Sequence, residues 1–484
     1  MKKLAALFLL TFISTLLAEP LVVHEWGTFT SLQDEKGDAI GGINTDDEPV
    51  PNAFVHRLSY HFLLNPSDAP PRFFQGVPSC HPDVTMRLET PVIYFYPPKG
   101  ESLQPLDVHV SFRGGWLTEF YPGAEAKAPN FDSTAPHRIY PYSGPIDPNK
   151  GINVSSFGHL KGDAIGELAW NGLIIGGHNK LPETKEQVWL APRAVQSAQI
   201  STAKGESEQF LFYRGVGNID ASLRVVRNEN TNALTIYNNI KIMDFENAEE
   251  GLRVPAAWLV EVSPNGKCAF KALSKLEFHD SGKFCEIPGN FLPKDFSKKN
   301  QQVLREDIRK ELIKAGLFKD EADALLNTWK ISYFQSPGLR LFYICPRAVT
   351  DNLLPLSISA PCDLVRVMIG RIEIITPEQR ALLKKLAIGP APDLSGMRGA
   401  TADSQSEFFK HPENTALWND IMAGKKSIRL LGLTGAIKIP PLYIDYLNLG
   451  RFRNALILNE EKNHPTPALK KFISENGFEA YPVH

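Results

Sequence analysis

Apolar and polar side chains alternate over residues 106–113, with Val108, Val110 and Phe112 on one side and Asp107, His109, Ser111 and Arg113 on the other. A period of two predicts a strand with one buried face. Gly114 and Gly115 follow and predict a two-residue hairpin loop into a second strand over 116–121. A further hairpin is expected from 257–262 and 268–273 about Pro264, Asn265 and Gly266, with single strands near 91–96, 209–213, 223–227 and 233–237. Residues 339–345 and 364–375 are apolar enough for buried strands. In the second of these Val365, Val367 and Ile369 hold odd positions and Ile372 and Ile374 even ones, a change of phase that predicts a β-bulge at Gly370.

Helical spacing interrupts this pattern. Leu304, Ile308 and Leu312 recur every four residues and stop at Gly316, and Asp320 can cap a second helix carrying Leu325 or Leu326, Trp329 and Tyr333 on one face. Beyond residue 375, Thr376, Pro377 and Gln379 form a capping box with Pro at the first helical position. Helical character continues near 403–410, 414–423 and 466–475. The expected fold is therefore mainly β, an antiparallel sandwich or barrel-like domain over 19–375, with a helical hairpin insert at about 299–334 and a helix-rich C-terminal region over 376–484.

Residues 1–18 have a different character. Lys2 and Lys3 precede an uncharged apolar run ending at Ala18, the layout of a secretory signal peptide cleaved before Glu19. Leu16 is larger than the residue usually found three before such a cut. The run is shorter than the ~20 residues that span a bilayer. No later segment is apolar enough to replace it, so no transmembrane segment remains after cleavage. The expected location is periplasmic or extracellular.

Lys and Arg total 52 against 54 Asp and Glu, a formal net charge of -2. That balance gives no general attraction to nucleic acid. Five cysteines in an exported chain allow two disulfides. Cys268 with Cys285 and Cys345 with Cys362 are the nearest-neighbour pairs, leaving Cys80; five reduced, buried thiols are the alternative.

Several strings are longer than any single element requires: HEWGTFTS (24–31), ETPVIYFY (89–96), FLFYRGVGN (210–218), GLRLFYICPR (338–347), LPL (354–356) and VRVMIGRIEIITPE (365–378). Over residues 22–380 the chain resembles a family of large exported bacterial proteins that has no assigned activity. The resemblance implies a bacterial origin and one conserved-length unit, and it transfers no catalytic residue.

Candidate chemistry comes from strand faces. In the two-residue hairpin register Phe112 opposes Leu117, Val110 opposes Glu119 and Val108 opposes Tyr121, so Glu119 points into an apolar face. Alternation over 21–31 places Glu25 with Leu21, Val23 and Phe29, opposite His24, Trp26 and Thr28. A desolvated carboxyl can act as a general acid, and two in different environments can divide acid and base roles. Glu25 and Glu119 thus suggest an exported hydrolase, with carbohydrate as one substrate class. In the alternative, each pairs with a buried arginine such as Arg113, Arg214, Arg347 or Arg371.

A metal site from His24, Glu25, His81, His109 and His178 lacks any ligating spacing, and His24 and Glu25 face opposite ways. Asp46, Asp47 and Glu48 lack the alternation of a calcium loop. Arg214 with Gly215 and Gly217 makes a weak anion cradle. No motif specifies a cofactor.

The competing class is a non-catalytic envelope or binding protein for a small molecule, polysaccharide or other partner. Trp26, Arg113, Trp116 and Arg214 are its candidate binding residues, and Trp170, Trp189, Tyr94, Tyr96 and Tyr121 are further stacking platforms.

Overall fold

A computed structural model describes residues 20–44, 50–51, 53–58, 80–98, 104–131, 158–239, 253–273, 276–277, 283–388, 448–476 and 480. The expected signal segment, the acidic loop at Asp46 to Glu48 and the expected helices near 403–410 and 414–423 lie outside these residues.

The fold is strand-rich mixed α/β, dominated by a 15-stranded mixed sheet. Its main path uses β1 (Leu21–Gln33), β2 (Met86–Tyr96), β3 (Leu106–Arg113), β4 (Gly115–Tyr121), β5 (Ile165–Ile175), β6 (Leu211–Gly217), β7 (Ala257–Val262), β8 (Cys268–Leu273), β9 (Gly338–Ile344), β10 (Leu356–Ile358) and β11 (Cys362–Ile374). The spatial order is β8-β7-β9-β11-β1-β2-β6-β4-β5-β3-β10. The two ends of this path do not pair, so the sheet does not close into a barrel. β1 and β11 run parallel, while β1 and β2 run antiparallel. A separate three-stranded sheet joins Leu223–Arg227, Leu234–Asn238 and Lys283–Ile287.

The central strands are buried on both faces. On one face Val23, Ile93, Leu211 and Leu341 pack with Val108 and Val110 of β3, Leu168 of β5 and Leu223 and Ile236 of the small sheet. One apolar cluster thus joins the central strands, β3, β5 and the small sheet. On the other face Trp26, Val92, Phe212 and Val367 pack against Leu304, Ile308 and Leu312 of α1 (Lys299–Lys314), Leu325 and Leu326 of α2 (Lys319–Thr328), and Tyr333 of α3 (Lys330–Phe334). The helical pair therefore stands where its four-residue spacing placed it. Its second helix starts earlier than Asp320: Phe318 is the N-cap, and its N–H donates to Glu321 at 2.7 Å.

A third cluster joins the end of β1 to α4 (Pro377–Ile388), α5 (Arg453–Asn463) and α6 (Pro467–Asn476). The capping box of α4 forms reciprocally. Thr376 N donates to Gln379 Oε1 at 3.0 Å, and Gln379 N to Thr376 Oγ1 at 3.1 Å.

The hairpin of β7 and β8 forms as its turn residues require. The expected hairpin at Gly114 and Gly115 does not. β3 and β4 each turn away to other partners, and β5 lies between them. Gly114 has φ 80°, and a Cβ on Gly115 would sit 2.2 Å from the Phe112 ring, so the two glycines make a tight corner between strands that separate.

The bulge expected at Gly370 is also absent. Pairing of β11 with β1 and with β9 runs without a register shift through Gly370. The apolar phase changes because both faces are buried: Val367 and Ile369 face the helices, while Met368, Ile372 and Ile374 face the strands. Gly370 is needed for space, since a Cβ there would lie 2.0 Å from the Tyr343 ring. Gly370→Ala should therefore cost about 2–3 kcal/mol in urea unfolding without changing the fold. A loss under ~0.5 kcal/mol would show that the ring has room to move aside.

Candidate functional site

Glu25 and Glu119 are both buried, at 0% and 3% exposure. Glu25 accepts from the Tyr213 hydroxyl through one oxygen and from Arg366 Nε through the other. Burial and the Glu25 charge together hold the Tyr213 hydroxyl well above its ordinary range. Arg366 extends the chain outward, donating to Asp351 Oδ1 at 2.9 Å. Glu119 instead meets Arg57 Nε at 2.8 Å and Arg214 Nη1 at 3.7 Å.

Tyr213 and Arg214 are consecutive in β6 and so point to opposite faces of the sheet. Glu25 shares the Tyr213 face and Glu119 the Arg214 face. The two carboxyls are separated by the sheet itself and share no cleft. Each meets its own arginine, the arrangement expected of a structural pair.

The candidate binding residues are likewise dispersed. Trp26 and Trp116 are fully buried in different core clusters, and Trp116 Nε1 donates to the Pro129 carbonyl at 2.8 Å. Trp170 and Trp189 are buried too, each with its indole N–H bonded internally. None of these four rings offers a platform to solvent. Arg113 is exposed and donates to Asn352 at 2.7 Å.

The histidines do not gather. His24 bonds Glu321 at 2.8 Å on the helix-covered face, His81 bonds the Gly158 carbonyl at 3.2 Å, and His178 is exposed. Burial pushes the His81 imidazole below its ordinary range. Among the described residues no three His, Cys, Asp or Glu side chains come together as metal ligands.

None of the five cysteines forms a disulfide. Cys345 N donates to the Met368 carbonyl, which places Cys345 six residues along β11 from Cys362, roughly 20 Å in an extended strand. A disulfide needs Cα atoms about 5.5 Å apart. Cys268 belongs to the helix-covered cluster, whereas Cys285 packs against the other one, so that expected bridge has its partners on different sides. Burial pushes the Cys80 and Cys345 thiols up to about 12.

An accessible cleft of 550 Å³ lies elsewhere, over the small three-stranded sheet. Arg224, Val226 and Arg227 line it from one strand, Tyr237, Asn238 and Asn239 from the next, and Glu35 and Lys36 from the turn after β1. Glu229 completes the lining. Eight of these nine residues carry a polar or charged group. The turn is shaped by Asp34, whose Oδ1 accepts from Lys36 N and Asp38 N, and by Gly37 at φ 79°.

Arg224 is held in place by the Lys36 carbonyl and by Asp38, each at 3.0 Å. Arg380 clamps Glu35 through both carboxylate oxygens at 2.6 and 2.7 Å. Burial would raise that carboxyl, but the Arg380 and backbone hydrogen bonds bring it below its ordinary range. Glu35 is therefore unsuited to donate a proton. Sequence periodicity marked both strands of the cleft but gave no chemical signal, because the lining assembles from segments almost 200 residues apart.

No family model matches the sequence, and no curated protein matches it. Among solved structures the chain is similar to the Fcho1 Mu homology domain of Danio rerio with bound Eps15 peptide, at 8% identity and a TM-score of 0.27, covering 74% of this chain and 98% of that one. A likeness of that strength carries no argument about fold or function. No helix among the described residues is long and apolar enough to cross a membrane.

Beside the cleft, Glu261 is pushed up to about 7 by burial and by the neighbouring Glu378, with Arg227 opposing. Its folded value lies above the unfolded one, so the folded state binds the extra proton and stability falls as pH rises from about 4.5 through 7. Discounted for its partial exposure, the loss is about 1–2 kcal/mol. Glu261→Gln should flatten the unfolding free energy between pH 5 and pH 8 by that amount. An unchanged slope would place the titration on another group.

Proposed function

We propose that the protein is an exported bacterial binding protein whose ligand is a carbohydrate, held in the cleft over the small sheet. The observation that carries this reading is the cleft itself: accessible, 550 Å³ in volume, and lined by donors and acceptors with a single aliphatic side chain. Such a lining matches a ligand covered in hydroxyl groups, and Tyr237, partly buried at its wall, supplies a ring for the flat face of a sugar. Lys36, Arg224 and Arg227 outnumber Glu35 and Glu229, and Glu35 is already neutralised by Arg380. The balance favours neutral or acidic sugars over amino sugars.

Export rests on the Lys2, Lys3 and Ala18 pattern of the first eighteen residues. For the scaffold we read the large sheet as a sandwich, since β3 and β5 share one apolar cluster with the central strands. Hydrolysis through Glu25 and Glu119 has no support in their placement, because each accepts from its own arginine on a different face.

Titration calorimetry of the secreted protein with neutral and uronic-acid-bearing oligosaccharides tests the proposal. At least one class should bind. Tyr237→Ala and Arg224→Ala should each weaken it about tenfold or more while leaving the circular dichroism spectrum unchanged. Absence of binding, or binding indifferent to both substitutions, would defeat the reading. Release of new reducing ends that Glu25→Gln abolishes would favour the hydrolase instead.

A further inference from the structure

The cleft over the small sheet has two ends of different chemistry. Arg224 and Tyr237 are register partners on adjacent antiparallel strands, so their side chains leave the sheet on the same face. Leu223 and Val225, which alternate with Arg224, are buried in the core, whereas Arg224, Val226 and Tyr237 are partly exposed and line the cleft. The face that carries Arg224 and Tyr237 is therefore the one turned to the cleft. Lys36 is exposed at the same end, because its carbonyl accepts from Arg224 Nε. Arg227 alternates to the core side, where its guanidinium donates to the Gly289 and Ile375 carbonyls.

A guanidinium has five N–H donors. Arg224 spends Nε on the Lys36 carbonyl and one N–H of Nη2 on Asp38 Oδ1, each at 3.0 Å, and its side chain remains 42% exposed. Nη1 has no partner among the described residues. With the second N–H of Nη2 it forms an open fork, the arrangement that grips a carboxylate by both oxygens. Two bonds to the turn after β1 hold that fork in place before any ligand arrives. The Lys36 ammonium likewise makes no ion pair among the described residues.

The negative groups are covered or stand elsewhere. Arg380 holds Glu35 through both carboxylate oxygens. Asp38 meets Arg224 through one oxygen and is 63% exposed, so solvent and salt weaken that pair. Glu229 lies past the end of the Leu223–Arg227 strand, roughly 10 Å or more from Arg224 along the cleft. Glu261 and Glu378 bear on Arg227, at that same far end. Positive charge with open donors is thus confined to the end that holds Tyr237.

We infer that the cleft selects an acidic sugar: a uronic acid lies with its ring on Tyr237 and its carboxylate in the Arg224 fork, with Lys36 beside it. The inference rests on the carbohydrate reading above and names the class of sugar. Neutral hydroxyls also accept from Arg224, but a charged acceptor makes each bond roughly twice as strong. Directly opposed cross-strand residues stand about 5 Å apart at their Cβ atoms. A pyranose stacked on Tyr237 carries its C5 carboxylate at the edge of the ring, so the acid reaches sideways to the neighbouring strand and meets Arg224.

Titration calorimetry of the full secreted protein with galacturonate, glucuronate and mannuronate oligomers, each set against its methyl ester, decides it. The ester keeps the shape and the ring hydroxyls and removes the charge. At least one acid should bind about tenfold or more tighter than its ester, and added sodium chloride should narrow the gap. Arg224→Gln keeps a polar side chain at a partly exposed position and removes the fork. It should bring the acid to within about twofold of the ester. Equal affinities for every acid and its ester would overturn the uronate assignment and leave the carbohydrate reading in place. A sulfated galactan oligomer bound more tightly than every uronate would overturn it in favour of a sulfate ligand. An acid preference that survives Arg224→Gln would overturn the role of the fork. Absence of binding by every oligomer, acid or ester, would defeat the carbohydrate reading itself and this inference with it.

Discussion

The structure depends on how charge is neutralised inside central strands that have no wet face. β1 shows the constraint most directly, since twelve of its thirteen residues are buried although the strand contains His24, Glu25, Thr28, Thr30, Ser31 and Gln33. A carboxylate or imidazole in that position must find a partner within the protein, because an unpaired buried charge costs several kcal/mol. Each polar residue on β1 with a named bond reaches far along the chain. His24 finds Glu321, Glu25 finds Tyr213 and Arg366, Thr30 finds Glu89, and Gln33 donates to the Leu223 carbonyl at 2.9 Å. These bonds tie the helical insert, β6, β11, β2 and the small sheet to one strand. The polar pattern of β1 therefore specifies which elements surround it, while the apolar pattern supplies most of the favourable free energy.

The same constraint decides what kind of function the molecule can house. Carboxylates in the central strands are occupied by arginine, and their neighbours exclude water, so they are poorly placed to exchange protons with a substrate. Chemistry that meets solvent has to sit at the margin, where the small sheet and the turn after β1 leave polar groups partly exposed. The cleft occupies that margin. Arg227 links it to the core, donating to the Gly289 carbonyl at 3.2 Å and to the Ile375 carbonyl at 3.1 Å. A ligand in the cleft would thus rest on a residue fixed by two separate loops, a rigid support of the kind a binding site requires.

Much of the fold was legible in the sequence where the signal is local. Leu304, Ile308 and Leu312 with Gly316, the box of Thr376 and Gln379, and the Pro264 to Gly266 turn each specify a structure within a few residues, and each stands. Readings that needed long-range information failed for identifiable reasons. The glycines at 114 and 115 suit a hairpin and a corner equally, and only the insertion of β5 between β3 and β4 separates the two. The phase change about Gly370 signals a bulge only if one face is solvated. Paired cysteines close in sequence were separated by strand length and by the sheet. For the candidate site, alternation did place Glu25 and Glu119 in the interior, although the hairpin register used for Glu119 was not the real one. It was silent on their relative face, which depends on β6. The cleft left no trace beyond the strands that build it.

The account stands or falls on whether the buried carboxylates of the central strands are structural partners of arginine. Equilibrium unfolding of Glu25→Gln, Arg366→Met and the double variant measures this directly. Each single change should cost about 3–5 kcal/mol by leaving its partner buried and uncompensated, and the double variant should cost less than the sum by ~2 kcal/mol or more. Single variants that each lose under ~1 kcal/mol, with strictly additive effects in the double, would contradict it and return Glu25 to the list of groups held for chemistry.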